Sequence, residues 1–191
     1  MMLKKLSNIY LVEGLKNLNQ NRLTTAQANF RKAFDISNEN WEALNLLGLC
    51  LYTSASFKKA EGLWQKSIYL NPEEENRAYH YIESFKENKF ILLCDIYNKA
   101  LQCANEGDFK RSEKFLKEDP YMNCNIILFI NLKGLCMFKL GKKGVAVSLW
   151  KQSLLIDVEN QDALKYIVSS NDGQGEKITF NYLIRKILKI S

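Results

Sequence analysis

The chain reads Asn-Leu-Leu-Gly-Leu-Cys-Leu-Tyr at residues 45–52 and Asn-Leu-Lys-Gly-Leu-Cys-Met-Phe at residues 131–138, which lie 86 positions later. Five of the eight residues are identical, and two of the others exchange one apolar residue for another. At the same offset, Leu-Trp-Gln-Lys-Ser-Ile at 63–68 returns as Leu-Trp-Lys-Gln-Ser-Leu at 149–154. One sequence unit is therefore used twice. Repeated units are typical of helical arrays, which present binding surfaces more often than catalytic sites.

A finer period of 34 residues lies inside each copy, as the distance from Gly14 to Gly48 shows. Each glycine is followed at fixed distances by a small residue, an aromatic residue and a second small residue. The three clear sets are Gly14, Ala26, Phe30 and Ala33, then Gly48, Ala60, Trp64 and Ser67, and finally Gly134, Ala146, Trp150 and Ser153. A weaker set is Ala100, Ser112 and Leu116. Small residues let two helices approach closely, and we expect Gly48 to face Ala60 in such a contact.

The best-matched unit follows a longer pattern of bulky, small and apolar residues, ended by a proline. Its members are Trp41, Leu44, Leu47, Gly48, Leu51, Ala60, Trp64, Ser67 and Pro72. This pattern resembles the tetratricopeptide repeat. The resemblance implies an all-α, tetratricopeptide-like helical-hairpin solenoid, an alpha-alpha superhelix of about four repeats with an inserted helix and a C-terminal amphipathic helix. It also implies a protein-protein interaction scaffold rather than an enzyme.

The domain organisation follows from the spacing of these units. We expect one array over 1–170, with repeats near 7–40, 41–74, 93–122 and 127–160. Ala78, Tyr81, Ile82 and Phe85 have helical spacing and place an inserted helix at 75–90, and a capping helix is expected at 161–170. A linker at 171–176 and a basic amphipathic helix at 177–191 complete the chain.

Composition excludes several classes of function. Residues 177–191 hold Lys177, Arg185, Lys186 and Lys189 without an acid, so they carry most of the net charge of +6. The array itself is only weakly basic, which argues against a nucleic-acid binder. None of the five cysteines forms a C-x-x-C pair, and we expect buried free thiols in a cytoplasmic protein. The N-terminus lacks a clean signal peptide, and no run is apolar enough for a transmembrane helix.

Catalytic and cofactor motifs are missing from the sequence. His80 is the only histidine, and we expect it to be a half-exposed packing residue on an amphipathic helix. No phosphate-binding glycine loop is present, since Gly-Lys-Lys-Gly at 141–144 suits a helix-hairpin turn. Glu73–Glu75 fit a helix start better than a metal site. We therefore expect no catalytic residue, no metal and no cofactor.

The resemblance also locates a concave groove, lined by one face of the first helix of each repeat. Carried over position by position, it comprises Leu11, Leu15, Leu18, Asn45, Leu49, Tyr52, Tyr97, Leu101, Asn131, Leu135 and Phe138. Several of these residues could instead pack between repeats. The family's carboxylate clamp uses Lys, Asn and Arg on this face, whereas leucine and asparagine dominate here. We expect a protein or peptide partner that offers an amphipathic helix or an apolar extended segment.

Residues 177–190 leave three interpretations open. Phe180, Leu183, Ile184, Ile187 and Leu188 form an apolar stripe at helical spacing, with basic residues beside it. The segment could cap the array, or fill the groove of its own or a neighbouring copy and so form a homo-oligomer. It could also lie on an anionic membrane, which would make the chain a membrane-peripheral adaptor. A regulatory module that binds nucleic acid or a signalling peptide is a further alternative.

Overall fold

A computed structural model describes residues 2–86, 89–117 and 126–171. All regular secondary structure within these residues is helical. The helices are α1 (Met2–Asn19), α2 (Leu23–Ile36), α3 (Trp41–Thr53), α4 (Phe57–Leu70), α5 (Ala78–Lys86), α6 (Lys89–Asn105), α7 (Phe109–Lys117), α8 (Ile127–Lys139), α9 (Lys143–Ile156) and α10 (Gln161–Asn171). The predicted all-α helical-hairpin fold is confirmed. The chain divides into two compact units, residues 1–91 and 92–191, which we describe separately.

In each hairpin, the residue two positions after the end of the first helix has a left-handed backbone. These residues are Asn21 (φ 56°), Ala55 (φ 59°), Gly107 (φ 82°) and Gly141 (φ 78°). Ala55 N–H donates to the Tyr52 carbonyl, and Ser56 N–H donates to the Leu51 carbonyl, both at 2.8 Å. The other three turns have the same pair of bonds, which defines a Schellman motif. The four turns are spaced by 34, 52 and 34 residues, so backbone geometry repeats with the sequence period.

The core of the first unit is built on a contact between glycine and an aromatic ring. Trp64 is buried, and its indole nitrogen donates to the Asn45 carbonyl at 3.2 Å. A Cβ atom on Gly48 would lie 2.7 Å from Trp64 Cδ1, and one on Gly14 would collide in the same way with Phe30. The tryptophan ring therefore occupies the space that the missing Gly48 side chain leaves, and the expected contact of Gly48 with Ala60 stays a prediction.

The second unit repeats this arrangement around Trp150. Its indole nitrogen donates to the Asn131 carbonyl at 3.3 Å, and a Cβ atom on Gly134 would lie 2.7 Å from Trp150 Cδ1. The Trp150 ring lies between Phe138 on α8 and Tyr166 on α10, with centroid distances of 5.9 and 5.3 Å. This ring therefore links three successive helices of the unit into one core.

Asparagine side chains join the first, second and fourth hairpins to the helix that follows each of them. Asn40 accepts a bond from Ala43 N–H at 3.0 Å and so caps α3, while its amide donates to Ser7 Oγ at 2.8 Å. Asn160 caps α10 through Ala163 N–H at 3.1 Å and donates to Ser153 Oγ at 2.7 Å. Each cap satisfies an otherwise unpaired amide at a helix start and ties that helix to the preceding hairpin.

Asn76 has the corresponding role before α5. It accepts from Ala78 N–H at 3.1 Å and donates to the Asn71 carbonyl at 2.8 Å. Glu73–Glu75 precede this cap and lie outside any helix, so the expectation that they begin a helix is wrong. The reason is local, because the buried Asn76 amide supplies the cap and sets the start of α5.

Several predicted features fall at the limits of the described residues. Helix α5 lies inside the range given to the inserted helix, and α6 begins at Lys89, earlier than the predicted third repeat. Apart from Asn171, which ends α10, the predicted linker and the basic amphipathic helix lie outside the described residues. The membrane and oligomer interpretations of 177–190 stay predictions, as do the repeat boundaries.

Candidate functional site

The predicted groove residues lie on the first helices α1, α3, α6 and α8, and they differ in exposure. Leu15 is 39% exposed, and Leu11, Asn45 and Asn131 are buried. The remaining seven are half-buried: Leu18, Leu49, Tyr52, Tyr97, Leu101, Leu135 and Phe138. The three buried residues each lie three positions before the glycine of their repeat. The side chain at this position therefore packs against neighbouring helices. The groove itself stays a prediction, and each unit carries its own part of the set.

In the first unit, the face of α3 is formed by Asn45, Leu49 and Tyr52, which follow one another at helical spacing. The Tyr52 ring packs edge-on against Phe57 at 5.3 Å and tilted against Trp64 at 6.2 Å. The Asn45 amide donates to Asn76 Oδ1 at 2.9 Å, and only its oxygen lacks a partner. This face is therefore held in place by its own neighbours.

In the second unit, the equivalent face of α8 contains Asn131, Leu135 and Phe138. Asn131 is only 5% exposed, yet neither Nδ2 nor Oδ1 has a hydrogen-bond partner among the described residues. A buried polar group without a partner costs about 1–3 kcal/mol relative to a paired one. The orphaned amide is the main chemical difference between the two faces.

The difference in hydrogen bonding between Asn45 and Asn131 follows from the positions of the two cap asparagines. Asn160 stands seven residues after Ser153, whereas Asn76 stands nine residues after Ser67. With the longer spacing, Asn76 Oδ1 accepts from both Ala78 N–H and the Asn45 amide. Asn160 Oδ1 caps α10, and no bond joins it to Asn131. The sequence shows the different spacing of the two cap asparagines, but the spacing alone does not tell which hydrogen bonds they form.

Two tyrosines add aromatic surface to the second unit without adding charge. Tyr97 on α6 packs on Phe129 of α8 at 5.0 Å, and Tyr166 packs on Trp150. Burial raises the pKa of Tyr97 above its usual value, and the nearby Tyr166 raises it further. Burial, and then the Asp162 carboxylate, raises the pKa of Tyr166. Both phenols therefore stay neutral near pH 7 and offer ring surface and a hydroxyl.

The strongest charge cluster lies elsewhere in this unit and is structural. The nearly buried Glu113 on α7 pairs with Lys117 at 2.8 Å and with Lys142, just before α9, at 3.5 Å. The hydrogen bond from Lys117 is the main reason that the pKa of Glu113 lies below its usual value. The contact with Lys142 ties α7 to the start of α9.

The cysteines behave as packing residues where the structure describes them. Cys50, Cys103 and Cys136 are buried, and Cys94 is half-buried. Burial raises the pKa of the Cys136 thiol, which donates to Ser112 Oγ at 3.1 Å. Cys124 lies outside the described residues. The cytoplasmic setting stays a prediction.

The remaining candidate features are His80, groups of metal-ligating residue types and long apolar helices. His80 is exposed, more so than expected, and its ring lies 6.2 Å from the Tyr81 ring. No cluster of His, Cys, Asp and Glu suited to a metal ion occurs in the part of the chain that the structure describes. None of the helices in 2–86, 89–117 and 126–171 combines the length and apolar character that a membrane span needs.

Sequence reasoning missed an apolar surface on α1. Met2, Leu3, Leu6, Ile9 and Val12 are all exposed, Ile9 and Val12 to 63% each. Their spacing of three and four residues is visible in the sequence, where the segment was weighed only as a signal peptide.

Comparison with known proteins supports the fold. A scan against family models and a search of curated proteins both gave no match. Among solved structures, the TPR domain of P58(IPK) superimposes with a TM-score of 0.50 at 18% identity, covering 97% of this chain and 60% of that chain. The present chain thus spans less than two thirds of that structure. PilW, a widely conserved type IV pilus biogenesis factor, has a TM-score of 0.41 at 15% identity, with coverages of 97% and 79%.

The chain therefore has the fold of a tetratricopeptide-repeat domain. Sequence period, Schellman turns and the paired contacts of glycine with aromatic rings agree with that fold. Identities this low show the architecture alone, so the function has to be argued from this chain's own surface.

Proposed function

We propose that this chain is a non-catalytic protein-binding module, and that the faces of its first helices bind a helical or apolar segment of a partner protein. One observation carries the proposal. Leu49 and Tyr52 on α3, and Leu135 and Phe138 on α8, are large apolar residues that the fold leaves half-buried at equivalent positions. Helical repeat arrays commonly bind partners through such faces.

The chemistry of these positions supports an uncharged segment as the ligand. Leucine, tyrosine, phenylalanine and asparagine occupy them, and neither lysine nor arginine is among them. Without a positive charge, the face lacks the means to hold a carboxylate or a phosphate. Apolar side chains of a partner would instead be removed from water against these residues, which is the main favourable term in such binding.

The experiment starts from peptides that bind the intact chain. Random twelve-residue peptides displayed on phage would be selected against the full-length chain, and the enriched sequences synthesised. We expect Leu135→Asp to weaken their binding at least tenfold, because a buried carboxylate would replace an apolar contact. Titration calorimetry gives the affinity, and circular dichroism reports whether the variant is folded.

A matched control lies on the second helix of the same hairpin. Leu155 on α9 is 58% exposed and lies off the proposed face, so Leu155→Asp should bind the peptides as the parent chain does. If no peptide is enriched, or if both variants bind equally well, the proposed function is wrong. If Leu135→Asp unfolds, Leu135 is a core residue and the face has been misassigned.

A further inference from the structure

The exposed apolar residues of α1 form a surface that the proposed function does not use. We propose that this surface joins two copies of the chain, with two α1 helices packed antiparallel about a two-fold axis beside Ile9. The occupant of the surface is therefore the α1 helix of a second copy. The inference concerns the first unit and does not depend on the ligand proposed for α3 and α8.

The exposed side of α1 has the spacing of a helix that packs on another helix. Five exposed residues follow one another at intervals of four, three, four and three, and we call them the α1 row: Met2, Leu6, Ile9, Glu13 and Lys16. This spacing is that of the seam between two helices of a coiled coil. Ser7 and Gly14 lie outside the row, and they pack on Ala33 and Phe30 of α2. Contact with α2 therefore leaves the α1 row exposed.

Apolar side chains at the centre of the row favour self-association. Ile9 and the neighbouring Val12 are each 63% exposed, and Leu6 is 41% exposed. A group of exposed apolar residues on one helix marks an interaction surface more often than single residues do. Antiparallel pairing about Ile9 places Ile9 against its own copy and Leu6 level with Val12 of the second copy. One helix from each copy gives a small interface, so we expect dimerisation at micromolar concentrations.

The charges of α1 set the direction of the pair. Lys5 and Glu13 are both exposed, and each lies four residues from Ile9, one before it and one after it. Antiparallel pairing about Ile9 brings Lys5 of each copy level with Glu13 of the other, as a two-fold axis requires. Two pairs of opposite charge result, whereas parallel pairing would place like charges together. Glu13 also lies 3.5 Å from Lys16, but both side chains are at least half exposed, so this bond is weak.

The same charges argue against two other occupants of the surface. An anionic membrane attracts Lys5 but repels Glu13, which belongs to the α1 row. Residues 177–191 contain no acid that could pair with Lys5 or Lys16. A second α1 helix supplies both charges in the order that neutralises them, together with the apolar centre.

The first test measures the mass of the full-length chain by sedimentation at micromolar concentrations and low ionic strength. We expect the parent chain to dimerise as its concentration rises. Ile9→Asp places two carboxylates beside each other at the axis, so this variant should stay monomeric. Asn8→Asp adds the same charge at an exposed position outside the α1 row and should dimerise as the parent chain does. Circular dichroism checks that both variants are folded.

The second test exchanges the two charges and so examines the antiparallel direction. Lys5→Glu and Glu13→Lys each convert both opposite-charge pairs into like-charge pairs, so each should weaken self-association by about tenfold or more. The two variants mixed together should form a heterodimer, because opposite charges then meet at both levels. The chain with both substitutions should dimerise as the parent does. Lys58→Glu, at an exposed position on α4, controls for the change in net charge.

Each remaining outcome contradicts the inference. A parent chain that stays monomeric overturns it. Binding to anionic vesicles that Ile9→Asp abolishes, without dimerisation, would assign the surface to a membrane instead. Nuclear Overhauser contacts between Ile9 and residues 177–191 of a monomer would assign it to that segment. Single charge variants that dimerise as well as the parent would refute the antiparallel pair. Peptide binding by α3 and α8 is measured separately, so these outcomes leave the proposed function standing.

Discussion

At the scale of single residues, the Trp150 ring leaves no room for a side chain at Gly134. The ring lies where a side chain would begin, and Trp150 is almost fully buried, so it has no room to retreat. The asparagine carbonyl that accepts its indole N–H fixes the ring in the same orientation in both units. Glycine therefore recurs at this position because the aromatic ring leaves no room for a side chain.

Gly134→Ala should destabilise the chain by about 1–3 kcal/mol, which is the usual cost of forcing an extra group into a packed core. Urea unfolding followed by circular dichroism measures the change. Gly144→Ala is the matched control, because nothing lies within 4 Å of the position that its Cβ would take. Alanine there should be neutral or stabilise α9 by about 0.5–1 kcal/mol. Equal effects of the two substitutions would contradict the packing argument.

At the scale of helices and turns, the turns of the four hairpins share one left-handed backbone conformation. Three residue types occupy it: asparagine, alanine and glycine. Glycine adopts the left-handed region at little cost, whereas Ala55 (φ 59°) is held there against the steric preference of its Cβ. The two bonds of the Schellman motif are the same at Ala55 and at Gly141. The second hairpin therefore stores some strain that the fourth avoids.

Ala55→Gly should stabilise the chain by about 0.5–1 kcal/mol, since relief of the strain exceeds the added entropy of the unfolded chain. Gly141→Ala should destabilise by a similar amount. Thermal or urea unfolding of both variants tests the pair. Opposite signs are the expected result, and a loss of stability in Ala55→Gly would show that the turn carries no strain.

Glu113 pairs with Lys117 within α7 and with Lys142 before α9, and both ion pairs are sensitive to acid. The pKa of Glu113 is lowered in the folded chain from its usual 4.5, so its charge stabilises the fold above that value. The contribution is lost as the pH falls through the lowered pKa. Glu113→Gln should cost about 0.5–1 kcal/mol at pH 7, because both lysines are more than half exposed, and almost nothing at strongly acidic pH.

Asp95→Asn is the control for this prediction. Asp95 and Lys99 form a close pair at 2.6 Å on α6, but both side chains are about half exposed. Removal of the Asp95 charge should change stability at pH 7 less than Glu113→Gln does. Urea unfolding between pH 3 and 7 compares the two variants, and a pH-independent effect of Glu113→Gln would mean that its charge is not what matters.

At the scale of the whole molecule, the sequence was most informative where one contact recurs. Glycine, alanine and tryptophan recur because the same close packing is needed in each hairpin, so their spacing predicted the fold. Spacing alone does not tell that the Trp64 ring, rather than another side chain, fills the space beside Gly48. The open amide of Asn131 depends on a two-residue difference between cap positions, and only side-chain geometry reveals its effect.

The indole N–H groups of Trp64 and Trp150 can report local unfolding of the two units separately. Trp64 belongs to the first unit and Trp150 to the second, and each N–H is buried and bonded to a main-chain carbonyl. Exchange of each indole proton with deuterium requires the core of its own unit to unfold. Two resolved proton signals would therefore time the opening of each half separately, within one unmodified protein.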